Sequence, residues 1–186
     1  YNRINDHDVR SRVAPSKTVA QQIPRGLGCV TTSSMGRLFD GVAALLGVRQ
    51  RAEYEGQAAI LLEGAARTLA GPAAPPYPLQ LTGDTPIVID WEPWICGIRD
   101  DAQRGRPTAE IAARFHETLA AAIVAVAQRI GIEQIVLSGG CFQNPLLCQR
   151  AVARLRAAEF RPYWNQRVPP NDGGISVGQA AAGLGR

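Results

Sequence analysis

The chain has 186 residues, of which 46% are hydrophobic and 19% are charged, so it can bury a sizeable core as one or two domains. The net charge is +4, but the arginines are scattered and Lys17 is the only lysine, so nothing favours a nucleic-acid partner. No apolar run is long enough to span a membrane, and the first residues lack a hydrophobic signal region. These features predict a cytoplasmic protein with no membrane partner. Because the chain does not begin with Met, we expect a piece of something longer.

The first half of the chain is predicted to hold two amphipathic helices between irregular segments. Residues 1–30 are polar and interrupted by prolines, so we predict an N-terminal connecting segment. Apolar spacing predicts helices at 35–46 and 54–69, the first capped by a residue of Thr31 to Ser34. Residues 71–86 hold five prolines and two glycines and are predicted to form a loop.

The second half alternates short apolar runs with helical patterns, which predicts an α/β fold with a small sheet flanked by helices. The runs at 87–89 and 135–137 have the continuous apolar character of buried strands. Ligands of such sheets bind beyond the carboxyl ends of the strands. The remaining predicted elements are a strand at 160–163 and helices at 93–101, 108–129, 145–158 and 172–184, the last rich in Gly and Ala and expected to pack closely.

Two glycine-rich turns carry the strongest functional signal. The first turn, Ser138-Gly139-Gly140, follows a predicted strand, and Asn144 stands where the next helix opens. The second turn, residues 169–174, contains Asn171-Asp172-Gly173-Gly174 before the last helix. Helix N-termini present backbone N–H groups and a positive dipole, so both turns are predicted to attract phosphate. The alternative is a pair of tight turns, with Asn144 and Asp172 acting only as helix caps.

Asp172 has a second possible role. A carboxylate beside phosphates would repel them unless it held a divalent metal ion, which reverses the local electrostatics. One carboxylate is too few ligands, and the chain offers no HxxxH or HxxH partner, so the other ligands are expected from outside this chain.

A third motif runs from Thr31 to Asp40. Asp40 lies about one helical turn after Gly36, so a carboxylate there is placed to accept ribose hydroxyls, with Arg37 near it to meet phosphate. The alternative is a capped surface helix in which Arg37 and Asp40 form an ion pair.

Other candidates are weaker. The four cysteines form no CxxC pair and are predicted to be free thiols; the helix dipole beside Cys141 is placed to lower its pKa, but no base follows it. His116 is predicted to have a structural role and His7 to lie in a solvated loop. Trp91 and Trp94 are expected to pack against the core.

Five stretches together resemble the C-terminal part of the hydrogenase maturation carbamoyltransferases, the HypF family. They are residues 32–40, 54–59, 113–116, 137–144 and 168–174, and the resemblance runs from about residue 20 to the end. It implies one lobe of an actin-like ATPase domain (the ASKHA, ribonuclease H-like class) related to tRNA threonylcarbamoyl transferases. Residues 31–186 would form the second lobe of the carbamoyltransferase domain.

The resemblance also implies an activity and a set of contacts. The family's domain accepts carbamoyl-adenylate, made from ATP, and passes the carbamoyl group to the C-terminal cysteine of a partner protein, HypE. Carried over by position, Gly139, Gly140 and Asn144 would contact adenosine, Asp40 and Gly56 would lie near the ribose, and Asp172 would ligate the metal.

The chain departs from the family in length. The family's acylphosphatase-like, zinc-finger and adenylate-forming regions are not recognisable as a whole in this sequence, and its metal-binding histidine pair is not found here; neither His7 nor His116 matches that pair. Acting alone, the chain is expected to have at most half of a nucleotide site and to be inactive. The alternative is a non-catalytic nucleotide-binding or interaction module of the same fold. A sugar kinase is disfavoured because no catalytic-base aspartate stands in a kinase-type setting.

Overall fold

The computed structural model of the chain describes residues 21–22, 24–28 and 30–185. The predicted connecting segment 1–30 therefore lies largely outside the described residues, as do His7 and Cys29. The packing of the chain divides it into two compact units, one ending at Leu62 and the other beginning at Glu63.

Helix α1, Met35–Leu45, lies in the first unit and confirms the predicted helix. The Ser34 side chain caps it by accepting a hydrogen bond from the backbone N–H of Arg37 at 3.4 Å. Gly47 follows with a φ of 71°, a left-handed conformation that suits glycine and ends the helix. The buried residues of this helix and of the position after it are Phe39, Val42, Ala43 and Leu46.

Helix α2, Gln57–Arg67, begins three residues later than predicted. Residues 53–56 form a turn instead, and Gly56 closes it with a φ of 78°. The left-handed conformation of Gly56 does not occur inside a helix, and the spacing of apolar residues alone does not reveal it.

In the second unit, a hairpin of two short strands, β1 (Gln80–Thr82) and β2 (Val88–Asp90), follows the end of α2, and the strands pair antiparallel. Strand β1 lies within the stretch predicted to be a loop, because its three residues carry too little apolar alternation to show in the sequence. Strand β2 is also less buried than predicted, since Val88 is half-exposed.

Helices α3 (Glu92–Gln103) and α4 (Thr108–Ile130) follow and confirm two predicted helices. Trp94 is fully buried and its indole N–H donates to the Pro78 carbonyl at 3.0 Å, whereas Trp91 is half-exposed, contrary to expectation. Neither α4 nor any other helix in the described part of the chain combines the length and apolar character needed to cross a membrane.

A buried carboxylate, Asp101, ties α3 to α4. Its Oδ2 atom accepts from the Tyr77 hydroxyl at 2.9 Å and from Arg114 Nη1 at 2.8 Å, and its Oδ1 atom lies 3.1 Å from Arg106 Nε. The Asp101 side chain is only 4% exposed. Burial, and then the hydrogen bond to Asp101, raises the pKa of Tyr77 well above its usual range. Removal of Asp101 would therefore leave Tyr77, Arg106 and Arg114 without these contacts.

A βαβ unit follows α4. Strands β3 (Gln134–Leu137) and β4 (Arg161–Trp164) pair in parallel, and helix α5 (Pro145–Ala157) lies between them in the sequence. Side chains from α4, β3 and α5 form the core of this unit: Ala120, Ala127, Leu137, Ala151, Val152 and Leu155.

One face of this small sheet is open. Val136 and its register partner Tyr163 are 73% and 50% exposed, although parallel strands are normally covered on both faces. The last helix, α6 (Ile175–Leu184), is apolar, yet it has no buried residue. The strand predicted at 135–137 is present, but only its Leu137 face is buried, because nothing in the described part of the chain covers the other face. The expectation of a closely packed last helix is wrong for the same reason.

Candidate functional site

The two glycine turns meet at one edge of the parallel sheet. Strand β3 leads into the first turn, and β4 is followed by the segment that forms the second. The backbone N–H of Gly139 donates to the carbonyl of Pro170 at 2.8 Å, which links the two turns directly. The contact lies beyond the carboxyl ends of both strands, where ligands of α/β sheets bind.

The first turn exposes backbone donors. Gly139 has a φ of 101°, a left-handed conformation that strains any residue with a side chain. A short 3-10 helix, Gly140–Gln143, follows, and its first helical hydrogen bond runs from the N–H of Phe142 to the carbonyl of Gly139 at 3.0 Å. The amides of Gly140 and Cys141 precede that bond, so they are the donors that a ligand at this turn would meet.

The N-terminus of α5 is, by contrast, already occupied. Asn144 is its N-cap and accepts from the N–H of Leu147 through Oδ1 at 2.9 Å. The N–H of Leu146 donates to Glu63 Oε1 at 3.3 Å, and Pro145 has no N–H. The prediction that this helix end offers free donors to phosphate is therefore wrong, since neighbouring side chains satisfy them. The available amides lie one turn earlier.

His116 lies behind Asn144. The ring is fully buried in α4, with Nδ1 2.7 Å from the Ala112 carbonyl and Nε2 2.9 Å from Asn144 Nδ2. Burial lowers the pKa of His116. The sequence predicted a structural role for His116 but not its contact with Asn144. The two residues are 28 positions apart, so no local spacing reveals the contact.

Asn171 caps the second turn, and Asp172 does not. The Asn171 side chain accepts from the N–H of Gly173 at 3.2 Å, and the N–H of Gly174 donates to the Asn171 carbonyl at 2.9 Å. A Cβ on Gly174 would lie 2.6 Å from the Pro169 carbonyl oxygen, so the backbones approach too closely for a side chain. The capping alternative for Asp172 is therefore wrong.

The carboxylate of Asp172 is exposed and forms no hydrogen bond or ion pair with any other described residue. It is free to take a ligand. Within the described part of the chain, however, no group of three His, Cys, Asp or Glu residues is placed to hold a metal ion. These residues fit one ligand of such an ion and not a whole site.

The predicted ribose contacts, Asp40 and Gly56, belong to the first unit. Arg37 Nη2 lies 3.0 Å from Asp40 Oδ2, so the ion pair raised as the alternative is present, with Asp40 32% exposed. Gly56 is the left-handed residue that precedes α2. Contact of either residue with a ribose stays a prediction.

Cys141 has the opposite of the expected acidity. Burial raises its pKa, so the first turn does not activate this thiol, and the expected effect of the helix dipole is wrong. Among the described residues, Cys96, Cys141 and Cys148 are free and partly buried. The described residues of this site thus include no activated thiol.

A family model for the second subdomain of the Kae1-like domain of carbamoyltransferases (HypF_C_2) matches residues 2–179 of the chain. The chain is 41% identical over 168 residues to the carbamoyltransferase HypF of Synechocystis sp., covering 90% of the chain and 21% of that protein. It is 33% identical over 196 residues to HypF2 of Cupriavidus necator, covering 90% of the chain and 24% of that protein.

Solved HypF structures share the fold. A full-length HypF in a phosphate- and nucleotide-bound form superposes on 96% of the chain with a TM-score of 0.85 and 37% identity. HypF of T. kodakarensis covers 98% of the chain with a TM-score of 0.75 and 28% identity. The chain spans 24% of each of these two structures, so it is similar to one part of a much longer protein. The expected α/β fold of an actin-like ATPase lobe is confirmed, and the family model describes it as Kae1-like.

Proposed function

The chain belongs to the HypF carbamoyltransferase family, and we propose that it forms one half of a site that binds carbamoyl-adenylate or ATP. The carbamoyl group would pass from this site to the C-terminal cysteine of a HypE-type acceptor protein. The observation that carries the proposal is the hydrogen bond between Gly139 and Pro170, which joins the two glycine turns at the carboxyl end of the sheet.

The nucleotide would be held mainly by the first turn. The amides of Gly140 and Cys141 would bind its phosphate oxygens, and the carboxamide of Asn144 would bind its adenosine part. A phosphate- and nucleotide-bound structure of a relative that is 37% identical supports a nucleotide as ligand. Asp40 and Gly56 would lie near the ribose, as the family resemblance implies.

Asp172 would supply one ligand to a divalent metal ion beside the phosphates. The carboxylate is exposed and has no described partner, which supports this role. A bound metal ion would therefore break none of its described contacts. The other ligands would come from the parts of the enzyme that the matched relatives contain outside this region.

The chain would bind and orient the adenylate rather than attack it. Cys141 is held as a thiol by burial, so the nucleophile would be the acceptor's own cysteine thiolate. Backbone amides aimed at the nucleotide would stabilise charge during acyl transfer without reorganising, which is the usual way such sites lower a barrier.

The part of the protein that supplies the second half of the site would also cover the exposed apolar surface of this chain. Val136, Tyr163 and helix α6 expose apolar side chains on the same unit that carries both glycine turns. Since the chain spans about a fifth to a quarter of the first relatives, the preceding part of the same protein is the partner we propose for this surface.

A chimera tests the proposal. We expect the Synechocystis HypF to keep carbamoyl transfer when this chain replaces its matched 168 residues, because the two sequences are 41% identical there. Mass spectrometry of a HypE-type acceptor after incubation with ATP and a carbamoyl donor measures the transfer. A chimera that is folded and binds ATP but carbamoylates nothing would favour the non-catalytic module instead.

A further inference from the structure

His116 and Asn144 share one hydrogen bond whose direction is fixed. Nδ1 of His116 lies 2.7 Å from the carbonyl oxygen of Ala112, and a carbonyl can only accept, so Nδ1 carries the ring proton. A neutral imidazole has one N–H group. Nε2 is therefore the acceptor, and Asn144 Nδ2 donates to it at 2.9 Å.

The carboxamide of Asn144 is fixed from its other end as well. The backbone N–H of Leu147 can only donate, so the group 2.9 Å from it must be Oδ1. That assignment places Nδ2 against His116, in agreement with the ring. The two contacts together allow one orientation of the carboxamide.

We propose that His116 is a positioning residue, which fixes the carboxamide of Asn144 beside the first glycine turn in the orientation that recognises the nucleotide. The inference rests on the proposed function and adds a residue to it. His116 is fully buried and contacts Asn144 directly, and a ligand at the turn would meet Asn144 and not the imidazole. Capping of α5 requires only Oδ1 of Asn144. The hydrogen bond from Nδ2 of Asn144 to His116 is therefore explained by its effect on the orientation of the carboxamide.

A second proton on the ring would break the arrangement. Nε2–H would face the NH2 group of Asn144, and a flipped carboxamide would turn that NH2 group against the N–H of Leu147. Burial, opposed by the hydrogen bond to Ala112, lowers the pKa of His116. The charged groups that face the ring are Arg150, which also lowers it, Glu63, which raises it, and Arg67, which lowers it. The pairing is thus intact above the ordinary value of 6.5 and is lost as the pH falls through the lower pKa of the folded chain.

Two variants separate positioning from packing. His116→Phe keeps a ring of similar size and removes the acceptor, whereas His116→Gln places an amide oxygen near the position of Nε2. In the Synechocystis chimera we expect His116→Phe to weaken ATP binding about tenfold, the scale of one buried hydrogen bond, and His116→Gln to restore most of it. ATP binding of the unsubstituted chimera should weaken in acid, while that of His116→Gln should not.

NMR of this chain without nucleotide gives an independent readout. We expect ring ¹⁵N shifts that report Nδ1–H for His116, and an Asn144 side-chain amide that exchanges slowly and is released in His116→Phe. Equal losses of ATP binding in the Phe and Gln variants, or an Asn144 amide unchanged in His116→Phe, would overturn the inference. Failure of the unsubstituted chimera to bind ATP would instead overturn the proposed function, a result that the NMR experiment distinguishes.

Discussion

Asp172→Ala is expected to abolish carbamoyl transfer by the chimera while leaving its fold unchanged. The carboxylate is exposed and has no described partner, so its removal breaks no contact that holds the second turn. A ligand of a catalytic cation contributes charge stabilisation worth several kcal/mol, so we expect a loss of about 100-fold or more. Acceptor carbamoylation measured by mass spectrometry gives the rate, and circular dichroism gives the fold.

Asp84→Ala is the matched control. Asp84 is also an exposed aspartate, with a side chain 90% exposed, and its only described role is a surface ion pair with Arg129. We expect this variant to transfer at the unsubstituted rate. Unchanged transfer by Asp172→Ala would remove Asp172 from the site and with it the proposed metal ligand.

Asp101→Ala is expected to destabilise the chain by about 3 kcal/mol, at the lower end of the range for breaking a buried ion pair, because Arg114 stays 22% exposed. The substitution leaves the guanidinium of Arg114 without its carboxylate and the Tyr77 hydroxyl without its acceptor. Urea unfolding measures the loss as a lower midpoint with an unchanged slope.

Glu133→Ala controls for the loss of a surface charge. Glu133 pairs with Arg161 Nε at 2.8 Å, but both side chains are more than half exposed. We expect its free energy of unfolding to stay within about 0.5 kcal/mol of the unsubstituted value. If Asp101→Ala unfolded at the same urea concentration as Glu133→Ala, the buried network would have no stabilising role.

The long, periodic elements could be predicted from the sequence. Helices α1, α4 and α5 were placed to within one or two residues because their apolar spacing and their flanking glycine or proline residues agree. Strand β1 could not be predicted because its pairing with β2 is decided across the hairpin and not within its three residues.

The sequence predicted the positions of the two glycine turns but not the contacts that surround them. The glycine pairs marked both turns, but the sequence could not show that Glu63 occupies the N-terminus of α5 or that Asn171 caps the second turn. These partners come from other elements or depend on local backbone geometry. The contact of His116 with Asn144 was missed for the same reason, since only the packing of α4 against α5 creates it.

Calorimetric titration of the chimera with ATP, with GTP as a control and Asn144→Ser as the variant, tests the central claim most directly. Serine caps helices about as well as asparagine, so the fold is kept while the carboxamide is lost. We expect adenine-selective binding that Asn144→Ser weakens about tenfold. ATP binding of the same affinity and selectivity in Asn144→Ser would contradict it and place the nucleotide away from the first glycine turn.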